Sequence, residues 1–107
     1  MAVQEISPIY LQQLLSEKND DYFLLDVREL FEYEIAKIAS STHIPMNQIV
    51  DRLAELDRDK QVVVICHHGM RSMQVAYFLD QQGIACLNLT GGIDAWAKSC
   101  DETMALY

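Results

Sequence analysis

Val62-Val63-Val64-Ile65 limits most sharply what this chain can fold into. Four consecutive β-branched residues are stiff in a helix and offer no polar face, so they read as a strand buried on both sides. Such a strand belongs in the middle of a parallel sheet covered by helices on both faces. The stretch Cys66-His67-His68-Gly69-Met70-Arg71-Ser72 leads from it into residues 73–79, a run without Pro or Gly that reads as a helix. Cys66 therefore stands where a central strand ends and a helix begins, the place where open α/β sheets bind ligands.

A loop in that position can turn several backbone N–H groups toward one point, backed by the positive end of the helix dipole. It stabilises an anion, whether a thiolate or the oxygens of a bound substrate. Gly69 lets the backbone turn without a Cβ clash, and Arg71 adds a permanent positive charge. A strand-end cysteine can also be a small core hydrophobe. The neighbouring Gly69 and Arg71 favour the functional reading.

The rest of the chain alternates strands and helices. Gln4-Glu5-Ile6 is expected as an edge strand, followed by a helix with Ser7 as N-cap, Pro8 at N1 and Tyr10, Leu11, Leu14 and Leu15 at helical spacing. Residues 22–27 form the next strand. Asp26 at its end is expected to cap a short helix over residues 29–34 in an acidic pairing with Glu29, with Arg28 as a surface or structural ion-pair partner. Residues 42–44 predict a short strand ending at Pro45, with His43 as a core residue or one supporting the site from behind. Ile49, Leu53 and Leu56 predict a helix over residues 46–56. Gly83 closes the helix after the Cys66 loop, and residues 84–89 are the last strand, with Cys86 in the core. Gly91 and Gly92 then let the backbone pass close to the Cys66 loop before a helix over residues 93–97. Residues 99–107 carry no clear pattern and read as a C-terminal extension of a single domain spanning residues 1–107. The alternation implies right-handed crossovers and a mostly parallel sheet.

Composition removes several classes of function. Half the 107 residues are hydrophobic and no apolar run approaches the roughly 18 residues of a membrane span, so a membrane protein is not expected. A formal net charge of −8 argues against nucleic acid and anionic membrane as partners. The N-terminus has no signal-peptide pattern, so a cytoplasmic location is expected. Cys66, Cys86 and Cys100 are an odd set without framework spacing, as expected of free thiols in a reducing compartment. No metal site is expected, because one tight loop can hardly turn Cys66, His67 and His68 onto one ion, and no cofactor motif is present.

In single-domain form the chain resembles the rhodanese-like sulfurtransferases over nearly its whole length. The resemblance rests on Asp26-Val27-Arg28-Glu29 after a strand, His43-Ile44-Pro45, the loop from Cys66 to Ser72, and Gly91-Gly92 followed by Trp96. It implies an open parallel sheet of about five strands flanked by helices on both faces, and a cysteine that carries sulfur as a persulfide. Cys66 would be the sulfur acceptor. His67, His68, Gly69, Met70 and Arg71 would hold the anionic end of the donor, with Asp26, Arg28 and Ser72 in support. The chain departs from the family where Ala36-Lys37 replaces Gly-His and Ser40-Ser41 replaces Gly-Ala, on the outer wall of the site.

The expected chemistry is attack of the Cys66 thiolate on the sulfane sulfur of thiosulfate or a similar donor, expelling sulfite, followed by transfer to cyanide or a thiol. The implied partners are thus a small anionic sulfur donor and a thiol or cyanide acceptor, with a sulfur-relay protein as a further candidate. Two alternatives share the fold. A Cdc25-like phosphatase or arsenate reductase spaces its cysteine and arginine by five residues, whereas His67 to Met70 make four here. A non-enzymatic binding or redox-sensing module would keep Cys66, a sensor forming either a Cys66–Cys100 disulfide or a mixed disulfide with another thiol.

Overall fold

The computed structural model describes residues 3–107, and among them five strands form one parallel sheet. In chain order the strands are β1 (Gln4–Ile6), β2 (Tyr22–Asp26), β3 (Thr42–His43), β4 (Gln61–Ile65) and β5 (Cys86–Leu89). They lie side by side as β1-β5-β4-β2-β3, so β4 sits at the centre. Its residues Val62, Val63, Val64 and Ile65 are completely buried, as a β-branched run without a polar face requires.

Four α-helices cover the sheet: α1 (Pro8–Ser16), α2 (Leu30–Ile35), α3 (Met70–Gln81) and α4 (Gly92–Cys100). Alternation along β4 divides the core into two halves. Val62, Val64 and Cys66 pack with Ile44, Ile49 and Leu56 and with Val75, Ala76 and Leu79 of α3. Val63 and Ile65 pack on the other face with Leu11 and Leu14 of α1 and Ile93 and Trp96 of α4. Trp96 is thus core. Cys100 packs on this second half, so the sheet separates it from Cys66.

Local chemistry explains most boundaries. Ser7 caps α1 by accepting the Tyr10 N–H, with Pro8 at the first helical position. The expected cap of α2 is corrected: Glu29, not Asp26, occupies the N-cap, and its own N–H donates to Glu32 at 3.1 Å. Asp26 is unavailable as a cap because its carboxylate is turned onto Arg28. The expected continuous helix over residues 46–56 is instead two 3-10 segments, Met46–Gln48 and Val50–Glu55, with a break at Arg52. Ile49 and Leu56 are nevertheless buried as the spacing implied. Further along, α3 begins at Met70, β5 begins only at Cys86, and α4 runs on to Cys100. At Ser40, one of the family departures, φ is +71°, a left-handed conformation that glycine adopts without steric cost. No helix among the described residues is long and apolar enough to cross a membrane.

Candidate active site

Parallel register brings two strand ends together. Asp26 of β2 pairs with Ile65 of β4, so Asp26-Val27-Arg28 and Cys66 leave the sheet side by side. Cys66 is 1% exposed. Its Sγ accepts the Gly69 N–H at 3.0 Å and lies 3.2 Å from the Ser72 hydroxyl. Gly69 makes that reach with φ +99° as the N-cap of α3, and having no side chain it leaves the first-turn N–H groups uncapped. These are the donors with which a helix start binds an anion.

Behind the thiol lies a closed ring of polar contacts. Ser72 donates to Asn88 Oδ1, and Asn88 Nδ2 donates to the Gly69 carbonyl at 3.1 Å. With the Ser72 proton directed at Asn88, the neutral Cys66 thiol is the donor to Ser72; a thiolate, which only accepts, draws the Ser72 proton back to itself. Asn88 was not anticipated from sequence. It sits one residue inside the end of an apolar strand, and a buried asparagine there is the signal that could have found it.

The loop's far side is fastened by α4. Ile93 N–H donates to the Cys66 carbonyl at 2.8 Å and Asp94 N–H to the His67 carbonyl at 3.0 Å. Gly92 (φ +62°) permits this approach: a Cβ there would overlap both carbonyls, 2.6 Å from the His67 oxygen. The expected close passage of Gly91-Gly92 past the Cys66 loop is therefore present.

Arg28 is fully buried. Its guanidinium donates to Asp26 through Nε and Nη2, to the Glu32 and Ala36 carbonyls, and to the Tyr107 hydroxyl at 2.7 Å, so every one of its donor positions is used. Burial opposes its charge, but the Asp26 and Tyr107 hydrogen bonds outweigh burial and raise its pKa.

Arg71 occupies the rim. Sequence assigned it to substrate, and the structure places both its Nη atoms on Glu32, at 2.6 and 2.8 Å. These bonds, opposed by burial and aided by the Glu29 N–H and the Tyr107 hydroxyl, hold the Glu32 carboxyl down at about 2, and Arg71 rises in turn. Glu32 escaped the sequence reading because its partner lies 39 residues away.

His67 is sandwiched. Its ring lies 3.9 Å from the Tyr107 ring at an interplanar angle of 8°, and 3.9 Å from His68 on the other side. Its Nε2 is buried without a partner, and desolvation, then the neighbouring His68, lowers its pKa. His68 is mostly exposed, with Nδ1 3.9 Å from Asp94. Ligand atoms of His67, His68 and Asp94 lie within 4.8 Å of one another, so the two adjacent histidines do converge. The two rings are tilted by 31° to each other. Of residues 99–107, expected as an extension, the first two end α4 and the rest return Tyr107 to this site, where its hydroxyl also donates to Glu32 at 3.0 Å. Desolvation pushes the Tyr107 pKa up to about 12.

Cys66, His67, His68, Met70 and Arg71 line a cavity of about 220 Å³. A larger one of about 370 Å³ between Leu15, Lys37, Trp96 and Met104 holds no thiol or histidine. Burial raises the pKa of the two other cysteines, Cys86 and Cys100, keeping them as thiols.

The family description of the rhodanese-like domain matches residues 7–99. The chain belongs to the rhodanese-like family. It is 41% identical over 96 residues to YtwF of Bacillus subtilis (strain 168), a sulfurtransferase by name, covering 90% of this chain and 92% of that protein. The thiosulfate sulfurtransferase GlpE of Pseudomonas paraeruginosa is 33% identical over 94 residues, covering 87% and 83%. Among solved structures, a rhodanese-related protein from Thermoplasma volcanium superposes with a TM-score of 0.82 at 34% identity, covering 97% of both chains. The rhodanese-like assignment and the helix-covered parallel sheet read from the sequence both hold.

Proposed function

We propose that the protein is a sulfurtransferase in which Cys66 carries sulfane sulfur as a persulfide. The observation that supports this most directly is the Gly69 N–H donated to Cys66 Sγ at 3.0 Å, at the start of a helix whose first turn has no side-chain cap. That arrangement favours negative charge on Sγ and, after transfer, on the outer sulfur. The thiolate attacks the outer sulfur of a donor such as thiosulfate; the Sγ–S bond forms as the donor S–S bond breaks, and sulfite leaves with the electron pair. A thiol, cyanide or the thiol of a relay protein then attacks the persulfide and regenerates Cys66. Ser72 steadies the thiolate by turning its hydroxyl proton from Asn88 to Sγ.

Of the two disulfides a redox sensor could form, Cys66–Cys100 has no geometric support, because the two thiols pack on opposite faces of the sheet. Intact mass after incubation with a sulfane donor tests the proposal. Wild type is expected to gain one sulfur, about 32 Da, which cyanide removes as thiocyanate, and Cys66→Ala is expected to gain nothing. Failure of wild type to load from either thiosulfate or a persulfide would overturn it.

A further inference from the structure

Arg71 is the only lysine or arginine among the side chains lining the Cys66 cavity, and it is already neutralised. Glu32 engages it through both carboxylate oxygens. Behind it Arg28 is matched by Asp26, and beside His68 the Asp94 carboxylate is matched by Lys98 at 3.0 Å. His67, desolvated between two rings, is held toward its neutral form. Around the cavity each cation thus has its own anion, in a chain whose formal net charge is −8. What remains for an incoming anion is the start of α3, equivalent to about half a positive charge.

Arg71 is not free to swing onto a substrate. Glu32 is 5% exposed and receives the Glu29 N–H and the Tyr107 hydroxyl besides both Arg71 bonds. Withdrawing the guanidinium would leave a nearly buried carboxylate without its counter-ion, a strongly unfavourable state. The pair is therefore a fixed, neutral piece of wall. Met70 adds an apolar surface to the same cavity, 77% exposed.

Resting on the reading of Cys66 as a sulfur carrier, we propose that Glu32 is a positioning residue that sets donor preference: by holding Arg71 neutral it tunes the cavity to organic persulfides, R–S–SH, against dianionic thiosulfate. A persulfide carries at most one negative charge on its sulfurs, and none in the attacked form R–S–SH, and it turns an organic group to a neutral, partly apolar wall. Thiosulfate presents two negative charges to a site with no unpaired cation. In the proposed step the Cys66 thiolate attacks the outer sulfur of R–S–SH. The Sγ–S bond forms, the donor S–S bond breaks, R–S⁻ leaves with the electron pair, and the proton stays on the transferred sulfur. Cys66 ends as Cys66–S–SH, with no net oxidation.

The test follows Cys66 loading by mass with two probes, sodium thiosulfate and cysteine persulfide, in wild type and Glu32→Gln. The readout is the ratio of the two loading rates, which removes the donors' intrinsic reactivities from the comparison between variants. Freeing the Arg71 charge is expected to move that ratio toward thiosulfate by at least about tenfold, with persulfide loading within about threefold of wild type. An unchanged ratio, or one moved toward persulfide, would overturn the proposal. A second measurement needs no variant. Raising salt from about 0.02 M to about 0.3 M should speed thiosulfate loading of wild type, because screening the protein's overall negative field outweighs screening the partial charge at the start of α3. A rate that falls with salt would reveal an unpaired cation at the site and sink the idea. Wild type that loads from neither donor would refute the sulfur-carrier reading itself, a result separate from both of these.

Discussion

Arg28 and Arg71 each grip a carboxylate through two nitrogens, Arg28 side-on through Nε and Nη2 and Arg71 end-on through both Nη atoms, and they differ in what lies on their far side. Arg28 has protein all round it: Asp26 on one edge, the Glu32 and Ala36 carbonyls and Tyr107 on the others, and no exposure. Arg71 has Glu32 on one edge and the Cys66 cavity on the other, with a side chain 36% exposed. The first pair holds the ends of β2 and α2 together, and its charge is spent entirely inside the protein. The second forms part of the wall a substrate meets. A guanidinium–carboxylate pair is thus a structural tie or a tuning element according to which of its faces is left open, which residue type alone does not reveal.

The largest expected effect lies in the closed pair. Arg28→Ala leaves Asp26, itself fully buried, without its counter-ion and strips donors from two carbonyls and the Tyr107 hydroxyl. Unfolding in urea should show a loss of about 3–5 kcal/mol. Arg28→Lys should recover only part of this, since an ammonium cannot reach all these acceptors in the planar fork. A loss below about 1 kcal/mol would mean that Arg28 behaves as a surface pair, and the contrast with Arg71 would collapse.

Next comes the open pair, read through pH. Glu32 titrates at about 2 in the folded protein against an ordinary 4.5, because Arg71 and its other donors favour the carboxylate. A depressed carboxyl contributes stability that is complete above about 4.5 and disappears as pH falls through about 2. The contribution is at most about 3 kcal/mol. In urea titrations at stepped pH, the gap between wild type and Glu32→Gln should close as the medium is acidified across that window. A gap constant from pH 5 to pH 2.5 would show that Arg71 does not favour the Glu32 charge. Arg71→Ala tests the same contact from the other side and should cost about 1–3 kcal/mol at neutral pH, because it strands the carboxylate.

The contrast between the two arginines also marks how far sequence could see. The central strand was legible because Val62 to Ile65 allow no polar face, and the loop because Cys66, Gly69 and Arg71 follow it directly. Gly91-Gly92 could be placed beside that loop because only close backbone approach requires two glycines there, as the Gly92 contacts bear out. Asp26 and Arg28 were legible as supporting residues through the family resemblance, whereas their residue types alone pointed to a helix cap at Asp26 that the Asp26–Arg28 pair replaces. Glu32, Asn88 and Tyr107 reach the site from 39, 16 and 79 residues away from the side chains they bind, and no local period records such a meeting. The 3-10 segments failed for another reason. Ile49, Leu53 and Leu56 fit a helical period, but periodicity reports which residues are buried and not how tightly the backbone winds between them.

Tyr107 gives the smallest and most discriminating prediction, because its hydroxyl touches both pairs at once. It accepts from Arg28 at 2.7 Å and donates to Glu32 at 3.0 Å, while its ring stacks on His67. Tyr107→Phe removes both hydrogen bonds and keeps the stack, so a loss of about 1–2 kcal/mol is expected. Tyr107→Ala removes the stack as well and should cost about 0.5–1.5 kcal/mol more. In a difference titration, wild type minus Tyr107→Phe, the phenolate should appear near pH 12 and not near 10, since desolvation holds the hydroxyl proton in place. The raised value means the Tyr107 contribution is present below pH 10 and is lost as pH rises toward 12. If the phenolate appears near 10 while Tyr107→Phe leaves stability unchanged, the hydroxyl bridges nothing, and the two arginine pairs are independent of the 101–107 segment.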